Sequence, residues 1–374
     1  MSRVLVLGGS GEMGSAAVAD LIARTDHEVT VGDLRTDAAT TLLERIEAPS
    51  RVVRVDVEDP ASLASALAAT DVVLNATYMR HNVGVTDAAI AAGVHLVDLG
   101  SYYPETIEQL DRDGAAQAAG CRIVPGCGVA PGLTNILARL GADELDAINA
   151  IRIYSYITHP MWTSPGIVVT RFDASTGTTL VREAGKLVEH PSFSGAEWFE
   201  FPAPYGSQEV HLVPHPEAVT LARSIDVADV VFKVGYPDDE TQRIKVLLEL
   251  GFDRDEPFTL DGVTISPRRF ASAWIGRRGI GSDEVSANLK HVRVEGVRGG
   301  RPMTLTYDFA VEAVGHSASS TITGTVAAIA ADLVTRGGPA GVHPPEAAFD
   351  ARGFLDALAE RGLVVEEREI MLPA

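Results

Sequence analysis

Along the first third of the chain, short β-branched runs alternate with alanine-rich stretches. The runs "RVLVLGG" (3–9), "HEVTVGD" (27–33), "VVRVDV" (52–57), "DVVLNA" (71–76), "VHLVDLG" (94–100) and "RIVPGCG" (122–128) are apolar without alternation, as strands buried on both faces are. Between them, "SAAVADLIARTD", "DAATTLLERIE", "PASLASALAAT", "VGVTDAAIAAG" and "TIEQLDRDGAAQAAG" carry apolar residues at helical spacing. Strand, helix, strand, repeated, predicts an α/β fold with a doubly wound parallel sheet of the Rossmann kind.

Past residue 130 the pattern changes. "LTNILARLGADEL" (133–145) reads as a helix, and the segments "AIRIYSYI", "GIVVTRF", "DVVFKVGY", "HVRVEGV" and "MTLTYDFAVE" alternate apolar with polar residues. Alternating strands predict a sheet with one solvated face. "ETQRIKVLLELG" (240–251) and "RRFASAWIG" (268–276) read as helices, and Pro and Gly gather between 160 and 216, where long loops are expected. "STITGTVAAIAADLVTRG" (320–337) and "ARGFLDALAERGLVVEERE" (351–369) return to the alanine-rich style. The expected organisation is a dinucleotide-binding domain over 1–132, an inserted α+β substrate domain over 133–319, and a C-terminal segment, 320–374, that packs back on the first domain.

The loop after the first strand contains Gly9-x-Gly11-x-x-Gly14. Gly9 permits a tight turn, Gly11 lets backbone approach a ligand, and Gly14 lets the helix lie close on the strand. Ser10, Glu12 and Met13 complete a loop whose amides and helix dipole suit a pyrophosphate. The spacing alone is weak evidence; its place between the first strand and first helix of an alternating pattern makes it specific. Asp33 ends the second strand, where a carboxylate accepts hydrogen bonds from ribose hydroxyls and repels a 2′-phosphate, which favours NAD. Arg35, two residues on, leaves NADP open. Asp56 follows the third strand, either near the adenine or as a turn cap.

Charge and composition narrow the partners. Lys and Arg total 31 against 51 Asp and Glu, for a net charge of −20. Such a balance repels phosphate backbones and anionic lipid, so neither nucleic acid nor membrane is an expected partner. No apolar stretch approaches the ~18 residues of a membrane span, and the N-terminus lacks the design of a signal peptide, so a cytoplasmic location is expected. Cys121 and Cys127 form no metal-ligand pattern; no metal is expected, and Cys127 reads as a small buried apolar residue.

In a doubly wound sheet the ligand lies beyond the carboxyl ends of the strands. The segments there are "NATYMRHN" (75–82), "DLGSYY" (98–103) and "PGCGVAPGLTN" (125–135). Asn75, Ala76 and Thr77 pass near the cofactor ribose in this reading, while Gly128, Pro131 and Gly132 shape a loop near the nicotinamide. Hydride leaves a carbon beside nitrogen only when the amine is unprotonated, so a proton acceptor is needed. His81 and Tyr78 are the leading candidates, with Asp98 as an orienting carboxylate. In the second lobe "YITHPMWTSPG" and "YGSQEVHLVPHPEAVTLAR" gather His159, Trp162, Tyr205, His211, His215 and Glu217 in loops, where substrate-binding side chains often sit. Glu346, in "GVHPPE" (341–346), is a weaker cofactor-side candidate, and Arg277 and Arg278 read as a solvated helix end.

The stretches "DVVLNATYMRHNVGVTDAAIAAGVHLVDLGS", "GVAPGLTNILA" and "GVHPPE", together with the glycine loop, resemble the saccharopine dehydrogenase family, most closely its lysine 6-dehydrogenase branch. The resemblance covers nearly the whole chain. It implies a Rossmann lobe with an inserted substrate lobe, a homodimer, and NAD- or NADP-dependent redox chemistry at a carbon bearing nitrogen in a small amine or amino acid. Members of the lysine 6-dehydrogenase branch oxidise the ε-amine of lysine to an imine that hydrolyses and cyclises. Two alternatives stand beside that reading: reductive condensation of the kind saccharopine reductases and carboxynorspermidine synthases perform, and dinucleotide binding without turnover. A short-chain reductase is disfavoured, since no tyrosine has lysine four positions on.

Overall fold

A computed structural model describes residues 1–49, 51–100, 102–158 and 162–371. The parallel sheet of the first lobe is built from β1 (Arg3–Leu7), β2 (Glu28–Asp33), β3 (Val52–Arg54), β4 (Val72–Asn75), β5 (His95–Asp98) and β6 (Arg122–Val124). Its order begins β3-β2-β1-β4-β5-β6, so the chain reverses direction across the sheet between β1 and β4. Val4 and Val6 face one apolar layer, Leu5 and Leu7 the other, which is why β1 is apolar without a break from Val4 to Leu7. The stretch expected as one helix over 106–120 is two, Tyr103–Leu110 and Asp113–Ala119.

The second lobe is a mixed sheet. It contains β7 (Ala147–Ile157), β8 (Thr178–Glu183), β9 (Lys186–Pro191), β10 (Glu197–Phe201), β11 (Gly206–Leu212) and β12 (Val227–Gly235). A separate hairpin, β13 (Phe258–Leu260) and β14 (Val263–Ile265), precedes the long β15 (Val285–Arg298) and β16 (Arg301–Val314). The main order is β10-β11-β12-β7-β15-β16, with β8 and β9 as a hairpin attached to β12. The region 160–216, expected as loops, therefore supplies four strands. "GIVVTRF", expected as a strand, lies in the helix Pro165–Ser175. Its start carries the usual helix signals: Ser164 caps the Ile167 amide, and proline occupies the first turn.

The C-terminal segment joins both lobes. The helix Ala318–Arg336 meets many criteria of a membrane span by length and composition, yet it is mostly buried inside the protein. It packs on the helix Glu12–Arg24 so closely that a Cβ on Gly324 would sit 2.6 Å from the Met13 carbonyl oxygen. β17 (Gly341–Val342) then extends the first sheet beside β6, whereas β18 (Glu366–Met371) pairs with β16 in the second. The tail thus packs on the first lobe through its helix and β17, and its last strand belongs to the other sheet.

Candidate active site

The glycine loop turns out of β1 and runs into the helix Glu12–Arg24. A Cβ on Gly14 would lie 2.3 Å from the Gly8 carbonyl oxygen, and one on Gly9 would lie 2.8 Å from Val31 Cγ1. Both positions therefore admit only glycine. Gly11 differs: a Cβ there would meet nothing nearer than the Gly8 oxygen at 3.2 Å, so its bareness faces the cleft. No side chain caps the helix, which leaves the amides of its first turn available to an anion.

A cleft of about 700 Å³ opens in front of this turn. Ser10, Gly11, Glu12, Met13, Arg35, Ala76, Thr77, Tyr78 and Pro131 line it. Asp33 holds the loop by accepting hydrogen bonds from the Ser10 amide (3.1 Å), the Ser10 hydroxyl (2.6 Å) and the Arg35 amide (3.0 Å). Asn75 is buried and accepts from the Thr77 hydroxyl at 2.6 Å, fixing the strand end beneath the cleft. These residues fit a dinucleotide: an uncapped helix start, a bare Gly11 and a carboxylate at the end of β2. Two of the expected cofactor residues do other work. Asp56 caps its own turn through the Glu58 amide, and a Cβ on Gly128 would lie 2.9 Å from the Leu99 oxygen, so that glycine serves packing.

The helix Pro165–Ser175 of the second lobe lies over the cleft. Ser164, Pro165, Gly166, Ile167 and Thr170 form that wall. Polar contacts tie it to the first lobe. The Tyr78 hydroxyl donates to Asp173 at 2.6 Å, Asp173 also pairs with Arg268, and the Tyr102 hydroxyl donates to the Thr170 carbonyl at 2.9 Å. Burial and the Asp173 carboxylate push the Tyr78 phenol well above its ordinary pKa, and burial does the same to Tyr102. Glu12 accepts from both Thr163 and Ser320 at 3.0 Å, linking the glycine loop to the second lobe and to the C-terminal helix.

Behind the cleft, between the second lobe and Met13, Tyr102, Val129 and Ala130 of the first, is a chamber of about 190 Å³. Tyr102, Ala130, Ile167, Thr170, His215 and Thr323 line both spaces and so mark their junction. His215 stacks on Phe232 with ring centroids 4.0 Å apart, and its Nδ1 lies 2.9 Å from Glu217 Oε2. Glu217 has no solvent exposure and also accepts from the Thr134 hydroxyl at 3.2 Å. A carboxylate only accepts, so Nδ1 carries the proton of this hydrogen bond.

The chamber also contains residues that the sequence pattern did not single out. Lys290, on β15, is 2 % exposed, and its Nζ donates to Ser155 Oγ at 2.8 Å, to Asn288 Oδ1 and to the Leu289 carbonyl at 3.4 Å. Burial lowers its pKa to about 7, against a smaller opposing pull from Glu217. Arg171 lies over the Tyr236 ring at 4.0 Å from its centroid. A lysine inside the otherwise buried run "SANLKHV" of β15 was a usable signal. Arg171 offers none, because the β-branched residues around it suit a strand and the segment is a helix.

Other expected site residues sit elsewhere. His81 lines neither space; its Nε2 is 3.9 Å from Glu58 on the outer side, and burial with the Arg80 charge lowers its pKa. Asp98 is buried beneath the cleft, where it accepts from the Gly100 and Gly126 amides and from Gln109 Nε2. Burial raises its pKa, and its oxygens tie the ends of β5 and β6 together instead of facing a ligand. Trp162 is buried and donates its indole N–H to Glu240, and Tyr205 donates to Glu312 at the far end of the second sheet. Buried His211 stacks on Phe193, away from the chamber. Glu346 lies in the interior, accepting from Asn135 (2.9 Å) and Ser224 (3.0 Å). His159 lies outside the described residues.

A doubly wound sheet with a bare helix start, joined to a chamber with its own histidine, defines an NAD(P)-binding oxidoreductase of two lobes. The chain belongs to the saccharopine dehydrogenase family: the saccharopine dehydrogenase NADP binding domain matches residues 4–124, and the saccharopine dehydrogenase C-terminal domain matches residues 128–363. The fold is shared with the saccharopine dehydrogenase (L-Glu forming) of Saccharomyces cerevisiae. That structure aligns over 99 % of this chain and 100 % of its own, with a TM-score of 0.75 and 18 % identity. A carboxynorspermidine synthase from Vibrio alginolyticus is 24 % identical over 341 residues, 83 % of this chain and 80 % of that protein. Another from Vibrio cholerae is 25 % identical over 246 residues, 59 % of this chain and 58 % of that protein.

Proposed function

We propose that the chain is an NAD(P)-dependent dehydrogenase of a carbon–nitrogen bond, acting on the amine or imine of an amino acid, with His215 as its proton-transfer group. The observation that carries this reading is the place of His215, at the junction of cleft and chamber with its ring clamped by a fully buried Glu217. The nicotinamide ring, when bound, accepts or returns a hydride. A protonated amine has no lone pair to drive hydride from the adjacent carbon, so a base must first take its proton. With Nδ1 donating to Glu217, Nε2 is the ring nitrogen left for that task, and Glu217 fixes the orientation of the ring. In the reverse direction the same nitrogen returns the proton to the reduced product.

Two substrate patterns fit this chemistry. Oxidative deamination of lysine at its ε-amine follows from the resemblance of the first-lobe motifs to lysine 6-dehydrogenases. Reductive condensation of an amine with a carbonyl compound is supported by the likeness to carboxynorspermidine synthases and by a chamber that continues behind the cleft. Asp33 at the end of β2 favours NAD over NADP, with Arg35 at the cleft wall as the group that would hold a 2′-phosphate.

Reduced-cofactor absorbance, followed with NAD and with NADP across basic amino acids and diamines, and in reverse with oxo acids plus amines, tests the reading. Oxidation of lysine supports the first pattern, and consumption of reduced cofactor only with an oxo acid and an amine together supports the second. Turnover in neither direction sinks the enzymatic reading.

A further inference from the structure

We infer that the interior chamber anchors a carboxylate of the substrate between Lys290 and Arg171. The inference rests on the amine or imine reading only for the identity of the reacting end of that substrate. Among the described residues, the chamber wall holds Lys290, Arg171 and His215 but no aspartate or glutamate. Glu217, the nearest carboxylate to act on Lys290, is engaged by His215 and Thr134.

The cations are poorly compensated. The hydrogen-bond partners of Lys290 are Ser155, Asn288 and the Leu289 carbonyl, all neutral. Arg171 Nε is buried without an acceptor, and the Arg171 guanidinium rests on the face of Tyr236. A cation held out of water without a counter-charge is unfavourable, and a carboxylate entering between the two offsets that. Burial lowers the Lys290 pKa, the mark of an ammonium short of counter-charge, and an anion beside it acts in the opposite direction. Tyr102 and Tyr236, the remaining titratable groups on the wall, are buried phenols held neutral. A substrate bearing only ammonium groups meets the same charge sign and is rejected.

Isothermal titration of the chain loaded with reduced dinucleotide tests this, with glutarate as the carboxylate probe and cadaverine as the diamine. Glutarate should bind and cadaverine should not, and Lys290→Met and Arg171→Gln should each weaken glutarate by about tenfold or more. Reduced-dinucleotide fluorescence, unchanged in each variant, reports an intact first lobe. If Lys290→Met fails to fold, Arg171→Gln and the comparison of the two probes still decide. Cadaverine binding as tightly as glutarate, or glutarate indifferent to Arg171→Gln, overturns the anchor. A wild-type chain that binds glutarate yet turns over no amine keeps the anchor and loses the catalytic reading; one that oxidises amines but prefers cadaverine does the reverse.

Discussion

The dinucleotide cleft and the interior chamber are built in opposite ways. The cleft comes from one short sequence motif and recognises through backbone: Gly9, Gly11 and Gly14 contribute by what they lack. The chamber is assembled from side chains far apart in sequence, with Ser155 on β7, Arg171 on a helix, His215 in a loop and Lys290 on β15. Backbone recognition needs a fixed loop shape and tolerates little change in its glycines. Side-chain recognition places titratable groups in a buried space, so it should respond to pH where the cleft does not.

The largest effect is expected in the cleft. Gly14→Val places a Cβ 2.3 Å from the Gly8 carbonyl oxygen, well inside van der Waals contact, so the helix must move off β1. Reduced-dinucleotide fluorescence should then show no detectable binding, with a stability loss of roughly 1–3 kcal/mol in thermal unfolding. Normal binding by this variant would mean that the loop is not the cradle.

Next comes the junction. Glu217→Gln keeps an acceptor for the His215 Nδ1 proton but removes the charge beside the ring, and kcat should fall by about 10²-fold or more at nearly constant dinucleotide affinity. An equal loss in both quantities would assign Glu217 a folding role only.

The chamber and its surroundings should also shape stability against pH. Lys290 has a folded pKa near 7, below its unfolded value of 10.5. Between those values the unfolded chain holds more protons at this site, so stability rises with pH, by at most about 1.4 kcal/mol per pH unit. Glu346 is the opposite case: burial raises it from 4.5 to about 7, so its contribution is full at low pH and is lost as pH climbs through 7. Chemical denaturation of wild type and Lys290→Met should show the rise between pH 7 and 10 in the wild type alone. Identical slopes would place the lysine in a wetter setting than its contacts indicate.

The smallest effect is expected from His81→Ala. This histidine follows the same strand as Tyr78 but faces Glu58 outside both spaces, so turnover should stay within about a factor of two, or roughly 0.5 kcal/mol. A collapse of kcat would return it to the mechanism.

The same contrast explains what could be read from sequence. The first sheet was legible because its central strands are buried on both faces and the glycine loop is contiguous; only β3, at the edge, is largely exposed. Ser10, Met13, Ala76 and Thr77 follow from position alone once the strands are placed. His215 and Glu217 were legible as residue types in a loop, whereas their pairing depends on how the Glu217–Ser224 helix docks. Arg171 was hidden because "GIVVTRF" has β-branched residues that suit a strand, and Ser164 with Pro165 overrode that preference by starting a helix. Asp98 misled for a related reason. A carboxylate at a strand end resembles a ligand group until the Gly100 and Gly126 amides are seen to occupy it.

The placement of β17 and β18 has a consequence for how the molecule is made. One short tail completes the border of both sheets, beside β6 and beside β16. During synthesis the first sheet waits for residues 341–342 and the second for residues 366–371, so the two borders close in that order. Clipping the tail after residue 336 would unfasten both at once.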